Sequence, residues 1–334
     1  MSNLSTNRDF VGSDGVAALS LRKAQKDEVH ACLRVILGTP SQLASDAQVI
    51  DFLRFAMYRG INLSDIWLVE RRGTIAWALL PVVSPGRTMV LLSPPHVAPT
   101  LQDVVAPELI ARTLDEFRDR GIALAQVLIE PVDESVVRLY ERVQFKRLAE
   151  LLYLNRDLRR ADVPNLPSGV QLDTYCPERH ARFARTINAT YTDSMDCPAL
   201  NGLRDIEDII AGHKAVGHFD PACWLLLSQG DEPLGISLLN RSPHSEAMEL
   251  VYFGLVPLAR GKGLAELLMQ HTLHTAVAAN ARQLTLAVDA RNTPALNLYH
   301  RHGLRQVCSR IALMRDLREA NYTPPFVRSI SAPS

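Results

Sequence analysis

The hydrophobic pattern predicts strands at residues 16–21, 66–69, 75–83, 88–92, 123–129 and 146–154, where aliphatic and β-branched side chains alternate with polar ones or run together. Between them, apolar positions recur at three- and four-residue spacing, which predicts helices at 26–37, 45–58, 101–120 and 135–143. The helix over 101–120 carries Leu109, Ile110, Leu114 and Phe117 on one face and is stopped by Gly121. Arg71-Arg72-Gly73 makes the turn of a hairpin. Two prolines, a glycine and polar residues over 159–169 then read as a linker. After it the same order returns. A strand at 170–175 and helices at 177–190 and 203–213 are followed by a hairpin of strands 224–227 and 234–239 turning at Gln229-Gly230-Asp231. A strand over 249–256, a helix over 263–279, a strand over 283–288, a helix over 293–302 and a strand over 306–313 complete the chain.

The repetition holds at the level of single residues. At the shift that carries Tyr140 onto Tyr299, Leu139 falls on Leu298, Arg142 on Arg301, Glu130 on Asp289 and Phe145 on Leu304. Leu154 falls on Leu313, and Arg156-Asp157-Leu158-Arg159 on Arg315-Asp316-Leu317-Arg318, outside any amphipathic helix. Two copies of one α/β domain explain this better than coincidence between helices. The expected organisation is a disordered tail at 1–15, a first domain at 16–160, a linker at 161–169, a second domain at 170–318 and a loose tail at 319–334.

One stretch stands out in the second copy. Residues 250–256 form a near-continuous apolar run, as expected of a strand covered on both faces, and Pro257 ends it. Arg260-Gly261-Lys262-Gly263 follows, and Leu264, Leu267, Leu268 and His271 then recur at helical spacing. A helix that opens through glycines just after a strand leaves its first N–H groups bare, a ready site for phosphate. In the first copy the same positions are Leu101, Gln102, Asp103 and Val104. The glycines are gone and a carboxylate stands where an anion would bind, so the first domain is expected to keep the fold without the site.

Composition narrows the field. With 36 Lys+Arg against 36 Asp+Glu, nothing argues for nucleic acid or an anionic membrane as partner. No apolar run is long enough to span a bilayer, and the N-terminus lacks the apolar stretch of a signal peptide. Five cysteines without CxxC spacing fit a reducing cytoplasm rather than a disulfide framework or a zinc site. His213, His218 and Cys223 lack zinc-ligand spacing, no G-x-S-x-G elbow occurs, and no metal is expected.

The order of elements, with Arg260-Gly261-Lys262-Gly263-Leu264-Ala265 matching R/Q-x-x-G-x-G/A and Asn292-x-x-Ala295-x-x-Leu298-Tyr299-x-x-x-Gly303-Leu304 as a second signature, resembles the GNAT acetyltransferase superfamily. Leu304 stands where that family usually has Phe. The tandem arrangement, a degenerate first half and an intact second, is similar to that of mycothiol synthases, as is Glu249-x-x-x-x-Gly254-x-x-Pro257. The resemblance implies two mixed, mostly antiparallel twisted sheets flanked by helices, and an acetyl-CoA-dependent N-acetyltransferase acting on the amine of a small molecule. Acetylation of a protein or peptide, and a non-catalytic acyl-CoA sensor, are the alternatives. A monomer or a homodimer is equally compatible.

The resemblance also assigns roles. Backbone N–H groups of Arg260, Gly261, Lys262, Gly263, Leu264 and Ala265 would hold the coenzyme's pyrophosphate, with Arg260 and Lys262 adding charge. Gly254, Leu255 and Val256 would bond the pantetheine arm and polarise the acetyl carbonyl. Asn292 would either contact the coenzyme or cap the following helix. Tyr299 is the expected general acid for the departing thiolate. Glu249 is the expected base for the acceptor's ammonium, with Glu246 and Asp289 as alternatives. Loops at 191–203 and 213–222 are expected to shape the acceptor site.

Overall fold

The computed structural model describes residues 8–10, 19–131, 134–159, 163–243 and 245–319; the expected tails fall mostly outside these. Two compact units are present. One combines the residues up to Arg147 with those from Ala312 onward, and the other is Leu148–Ile311.

The first unit contains β1 (Arg8–Phe10), β2 (Leu19–Lys23), α1 (Val29–Ile36), α2 (Asp46–Arg59), β3 (Trp67–Arg71), β4 (Thr74–Ser84), β5 (Thr88–Leu92), α3 (Pro99–Gln102), α4 (Val105–Asp119), β6 (Leu124–Ile129) and α5 (Glu134–Arg142). Its strands lie in the order β1-β2-β3-β4-β5-β6 and pair antiparallel except for β5 with β6. Ser45 opens α2 with a capping box to Gln48, and Gly60 closes it in the left-handed conformation that a side chain with a Cβ resists. The helix expected over 101–120 is broken: Val104 (φ −132°, ψ −52°) leaves helical geometry between α3 and α4. That break lies where the second copy has its glycine turn.

The second unit contains the later residues of β7 (Lys146–Asp157), then β8 (Val170–Thr174), α6 (His180–Thr190), α7 (Ile206–Ala215), β9 (His218–Gln229), β10 (Glu232–Arg241), β11 (Ala247–Leu255), α8 (Leu264–Ala278), β12 (Gln283–Asp289), α9 (Thr293–Arg301) and the start of β13 (Arg305–Asp316). Its strands run β7-β12-β11-β10-β9-β8, with β11 and β12 parallel. The register repeats that of the first unit at the sequence shift: Ala247 pairs with Gln283 and Glu249 with Thr285, as Thr88 pairs with Leu124 and Val90 with Gln126.

The repeats in sequence are not the units in space. β7 closes the first repeat in sequence, yet it pairs antiparallel with β12, Leu154 opposite Leu286. Residues after Ile311 belong to the first unit, where the Leu317 N–H donates to the Ala123 carbonyl at 2.8 Å.

Each face of the second unit's sheet is covered by a helix pair. Met248, Leu250, Leu284 and Leu286 bury against Met269, Leu273 and Leu298 of α8 and α9. Trp224, Leu226, Ile236 and Leu238 bury against Phe183, Ile187, Ile209 and Ile210 of α6 and α7. Each such aliphatic side chain is worth about 1.5–3 kcal/mol of burial. The Trp224 indole N–H donates to Asn240, whose amide reaches the carbonyls of His213 and Val216, so the end of α7 is fixed to the sheet. Residues 218–222, expected in a loop, are part of β9, and of the two expected loops 191–203 remains a long connection, with a short helical turn at Pro198–Leu200. Among the described residues no helix is long and apolar enough to cross a membrane.

Candidate active site

Two local features open the sheet. β11 pairs with β12 only from Ala247 to Glu249, after which the two strands part while β12 continues beside β7 to Asp289. On its other edge β11 carries a bulge: Leu238 faces Tyr252 and Leu239 faces Leu250, leaving Val251 unmatched. An extra residue reverses the alternation of side chains, so Glu249 shares a face with Tyr252, while Met248 and Leu250 face α8 and α9. A periodic reading of a nearly all-apolar strand does not register such a bulge.

The parting of β11 and β12 leaves backbone donors. The Val256 N–H is engaged, donating to the Leu234 carbonyl at 3.0 Å. Successive N–H groups of an extended strand point to opposite edges, so Leu255 and Phe253 turn theirs toward the edge that β12 has left. Of the expected carbonyl-polarising set, Leu255 is therefore well directed and Val256 is not. Gly254 is a glycine for lack of room: a Cβ there would lie 2.9 Å from the Thr190 Cβ and 3.2 Å from the Tyr252 hydroxyl.

The turn after β11 begins with a short helical turn, Pro257–Ala259, and an extended Arg260. Gly261 (φ +73°) and Gly263 (φ +77°) are both left-handed, and a Cβ on either would meet nothing within 4 Å. The glycines are thus required by backbone conformation, and the space above them is open. Gly263 is the N-cap of α8 and supplies no side-chain cap, so the first-turn N–H groups are left for an outside acceptor. Lys262 is exposed. The Arg260 guanidinium is not directed to that space. It donates to the carbonyls of Leu255 (3.1 Å), Asp193 (3.0 Å), Thr190 (3.0 Å) and Thr192 (2.7 Å).

A cavity of about 460 Å³ adjoins both features. Of the residues expected to bind the coenzyme or to catalyse, Gly254, Leu255, Arg260, Gly261, Ala265, Asn292 and Tyr299 line it, and Glu249, Val256, Lys262, Gly263 and Leu264 do not. Asp196, within the loop expected to shape the acceptor site, also lines it, as do residues not anticipated from sequence: Tyr252 and Phe253 among them, with Arg301, which lies 3.7 Å from Glu266.

Tyr299 is 6% exposed and stands edge-on to Phe253, with ring centroids 6.4 Å apart. Burial, and then the charge of Asp196, push its phenol well above the ordinary range, so it is a neutral hydroxyl at any physiological pH. Of its two expected placements, Asn292 takes the helix cap, and it also lines the cavity. Its Oδ1 caps α9 by accepting from the Ala295 N–H at 3.3 Å, and the side chain lines the cavity, hydrogen-bonded to Asp196. Asp196 is half-buried and accepts the Asp289 N–H at 3.2 Å. Burial raises its carboxyl above the usual aspartate value against the pull of those hydrogen bonds.

Neither of the alternative bases is available. Asp289 is fully buried, and burial alone would raise it; Arg291, bonding it through Nε and Nη2 at 3.0 and 2.7 Å, with the Arg291 and Cys197 N–H groups, holds it below the usual value. It is a bracket for the loops on either side. Glu246 is paired with Arg282 at 2.7 Å near the start of β11, away from the lining residues. The Cys197 thiol, pushed up to about 12 by burial and by Asp196 and Asp289, is no nucleophile at neutral pH. Among the described residues no group of three His, Cys, Asp or Glu could hold a metal ion.

The first unit shows the same frame filled in. Asp103, at the place of Lys262, is ion-paired with Arg142, the counterpart of Arg301. Tyr140, the counterpart of Tyr299, is fully buried and donates its hydroxyl to Ser93 at 3.0 Å.

An acetyltransferase (GNAT) family model matches residues 188–304. The mycothiol acetyltransferase of Jonesia denitrificans is 25% identical over 235 residues, 65% of this chain and 75% of that one. The mycothiol acetyltransferase of Streptomyces bingchenggensis is 30% identical over 220 residues, 59% of this chain and 68% of that one. A crystal structure of a GCN5-related N-acetyltransferase from Sphaerobacter thermophilus shares the fold, with a TM-score of 0.61 at 18% identity over 90% of this chain and 96% of that one.

Proposed function

The chain belongs to the GNAT acetyltransferase family, and from that premise we propose that it transfers an acetyl group from acetyl-CoA directly to the primary amine of a small molecule. The observation that carries this reading is the parting of β11 from β12 beside an uncapped, left-handed glycine turn, with a buried tyrosine at the same cavity. The first-turn N–H groups from Gly261 to Ala265 suit a pyrophosphate. The Leu255 N–H, on the free edge of β11, suits the acetyl carbonyl and the negative charge that grows on it.

The chemistry is a single displacement. The amine nitrogen attacks the carbonyl carbon, the C–S bond breaks, and the departing thiolate takes the Tyr299 proton. The amine's surplus proton passes to a carboxylate, and reprotonation from solvent restores the Tyr299 hydroxyl while the carboxyl gives its proton back to water. The raised thiol of Cys197 supports direct attack over an acyl-enzyme route. Two carboxylates are candidates for the proton: Glu249, which the bulge turns to the Tyr252 face, and Asp196 on the cavity wall. A carboxylate near aromatic faces also suits an ammonium, and the named relatives support a small acceptor.

The test is thiol release from acetyl-CoA over a panel of primary amines. At least one amine should raise release well above hydrolysis, and acetyl-CoA should raise the melting temperature of the parent but not of Gly263→Glu. The proton acceptor is whichever of Glu249→Gln and Asp196→Asn lowers kcat and removes the acid limb of the pH profile. No stimulation by any amine together with no thermal effect of acetyl-CoA sinks the reading.

A further inference from the structure

The first arginine of the glycine turn makes a set of bonds that a phosphate ligand would not. Its guanidinium donates to carbonyls of two different elements: Leu255 at the end of β11, and Thr190, Thr192 and Asp193 at the C-terminal end of α6 and just beyond it. The last carbonyls of a helix lack partners and carry the negative end of its dipole, so a guanidinium there is doubly favoured. The same segment is locked from its other side. The Thr190 and Tyr252 hydroxyls are 2.7 Å apart, and Gly254 has no Cβ because Thr190 occupies that space. Residues 193–196, which continue from this point, line the cavity and end in Asp196, which meets Asn292 at the start of α9.

We propose that Arg260 is a positioning residue that couples the coenzyme turn to the acceptor wall: its backbone begins the turn whose N–H groups face the donor's phosphates, and its side chain holds Thr190–Asp196 in place. Filling the turn fixes the conformation of Arg260 at its root, and the fork of its guanidinium transmits that order to the wall. The coupling is reciprocal, so an acceptor seated on the wall tightens the turn on the coenzyme. The charge of Arg260 is consumed by carbonyl oxygens, and its contribution to phosphate affinity is small. The fork geometry matters because one ammonium cannot reach four carbonyls on two elements, so lysine does not substitute.

This rests on the acetyl-CoA reading but is testable without knowing the acceptor. The parent, Arg260→Lys and Arg260→Gln are compared by calorimetric binding of CoA and by amide hydrogen exchange across 190–196, with and without CoA. Both variants are expected to bind CoA within about threefold of the parent. Both should exchange 190–196 about tenfold faster or more, and CoA should protect that segment in the parent alone. With an amine that the parent accepts, kcat/KM should fall about 10- to 100-fold, as for a misplaced wall. Arg260→Lys behaving like the parent, or both variants losing CoA affinity while 190–196 exchanges as in the parent, overturns the proposal in favour of a phosphate charge. If the parent binds no CoA, the functional reading fails. The faster exchange of unliganded Arg260→Gln still decides the bracket. A general loss of fold in that variant would show as faster exchange throughout α8 and β11, and Arg260→Lys then supplies the answer.

Discussion

The two equivalent tyrosines allow an internally controlled experiment. Tyr299→Phe and Tyr140→Phe remove the same atom from the same place in two copies of one fold, with opposite consequences. Tyr140 is fully buried, and its hydroxyl is committed to Ser93 at 3.0 Å. Removing it leaves Ser93 without that donor and costs about 0.5–1.5 kcal/mol of stability, with kcat unchanged. Tyr299 keeps its ring in the core with Leu298 and against Phe253 whether or not the oxygen is present, so little stability is lost. Its hydroxyl lines the cavity, and burial and then Asp196 hold it neutral far above neutral pH. Loss of a positioned acid slows the chemical step by about 10²–10⁴-fold, which is about 3–5 kcal/mol in the barrier. The assay is thiol release at saturating acetyl-CoA with an accepted amine, alongside denaturant unfolding of each variant. The deficit of Tyr299→Phe should be constant from about pH 6 to pH 9, because an undisturbed phenol titrates only near 10 and this one higher. A Tyr299→Phe enzyme within twofold of the parent, or a Tyr140→Phe enzyme equally slow, refutes the assignment.

Two further outcomes follow from named residues. Gly263→Ala places a Cβ in open space but forces a left-handed residue at φ +77°, so it should cost about 1–2 kcal/mol in stability and weaken the thermal effect of acetyl-CoA, both readable in one melting series. His213, its ring tilted 30° to that of Tyr252 with centroids 5.4 Å apart, is held down to about 4 by burial and then by Arg204. The unfolded chain therefore binds this proton more tightly, so the stability from the neutral imidazole is complete above pH 6.5 and is lost as pH falls toward 4. His213→Phe should flatten that part of the curve in unfolding experiments across the range.

The sequence by itself determined the class of fold, the repeat and the glycine turn. These depend on local physics: period-two and period-3.6 burial, glycines where φ must be positive, a proline where a ladder must end. The shift that aligned Tyr140 with Tyr299 reappears as identical β5/β6 and β11/β12 registers because pairing follows the pattern of side chains. In the first copy the sequence shows a carboxylate, Asp103, at the place of Lys262, and the fold pairs it with Arg142. What only the tertiary structure decided involves partners far apart in the chain. The placement of β7 beside β12 rests on backbone bonds that either strand could have made elsewhere. The bulge at Val251, which sets the face of Glu249, leaves no mark in an apolar run. Asp196 gains its role from Asp289 and Asn292, nearly a hundred residues on. Arg260 reads as a phosphate charge beside two glycines, and becomes a bracket only because folding brings the end of α6 within reach of its guanidinium. Carbonyl oxygens carry no sequence signature, and their positions are fixed only once the helix that bears them has docked.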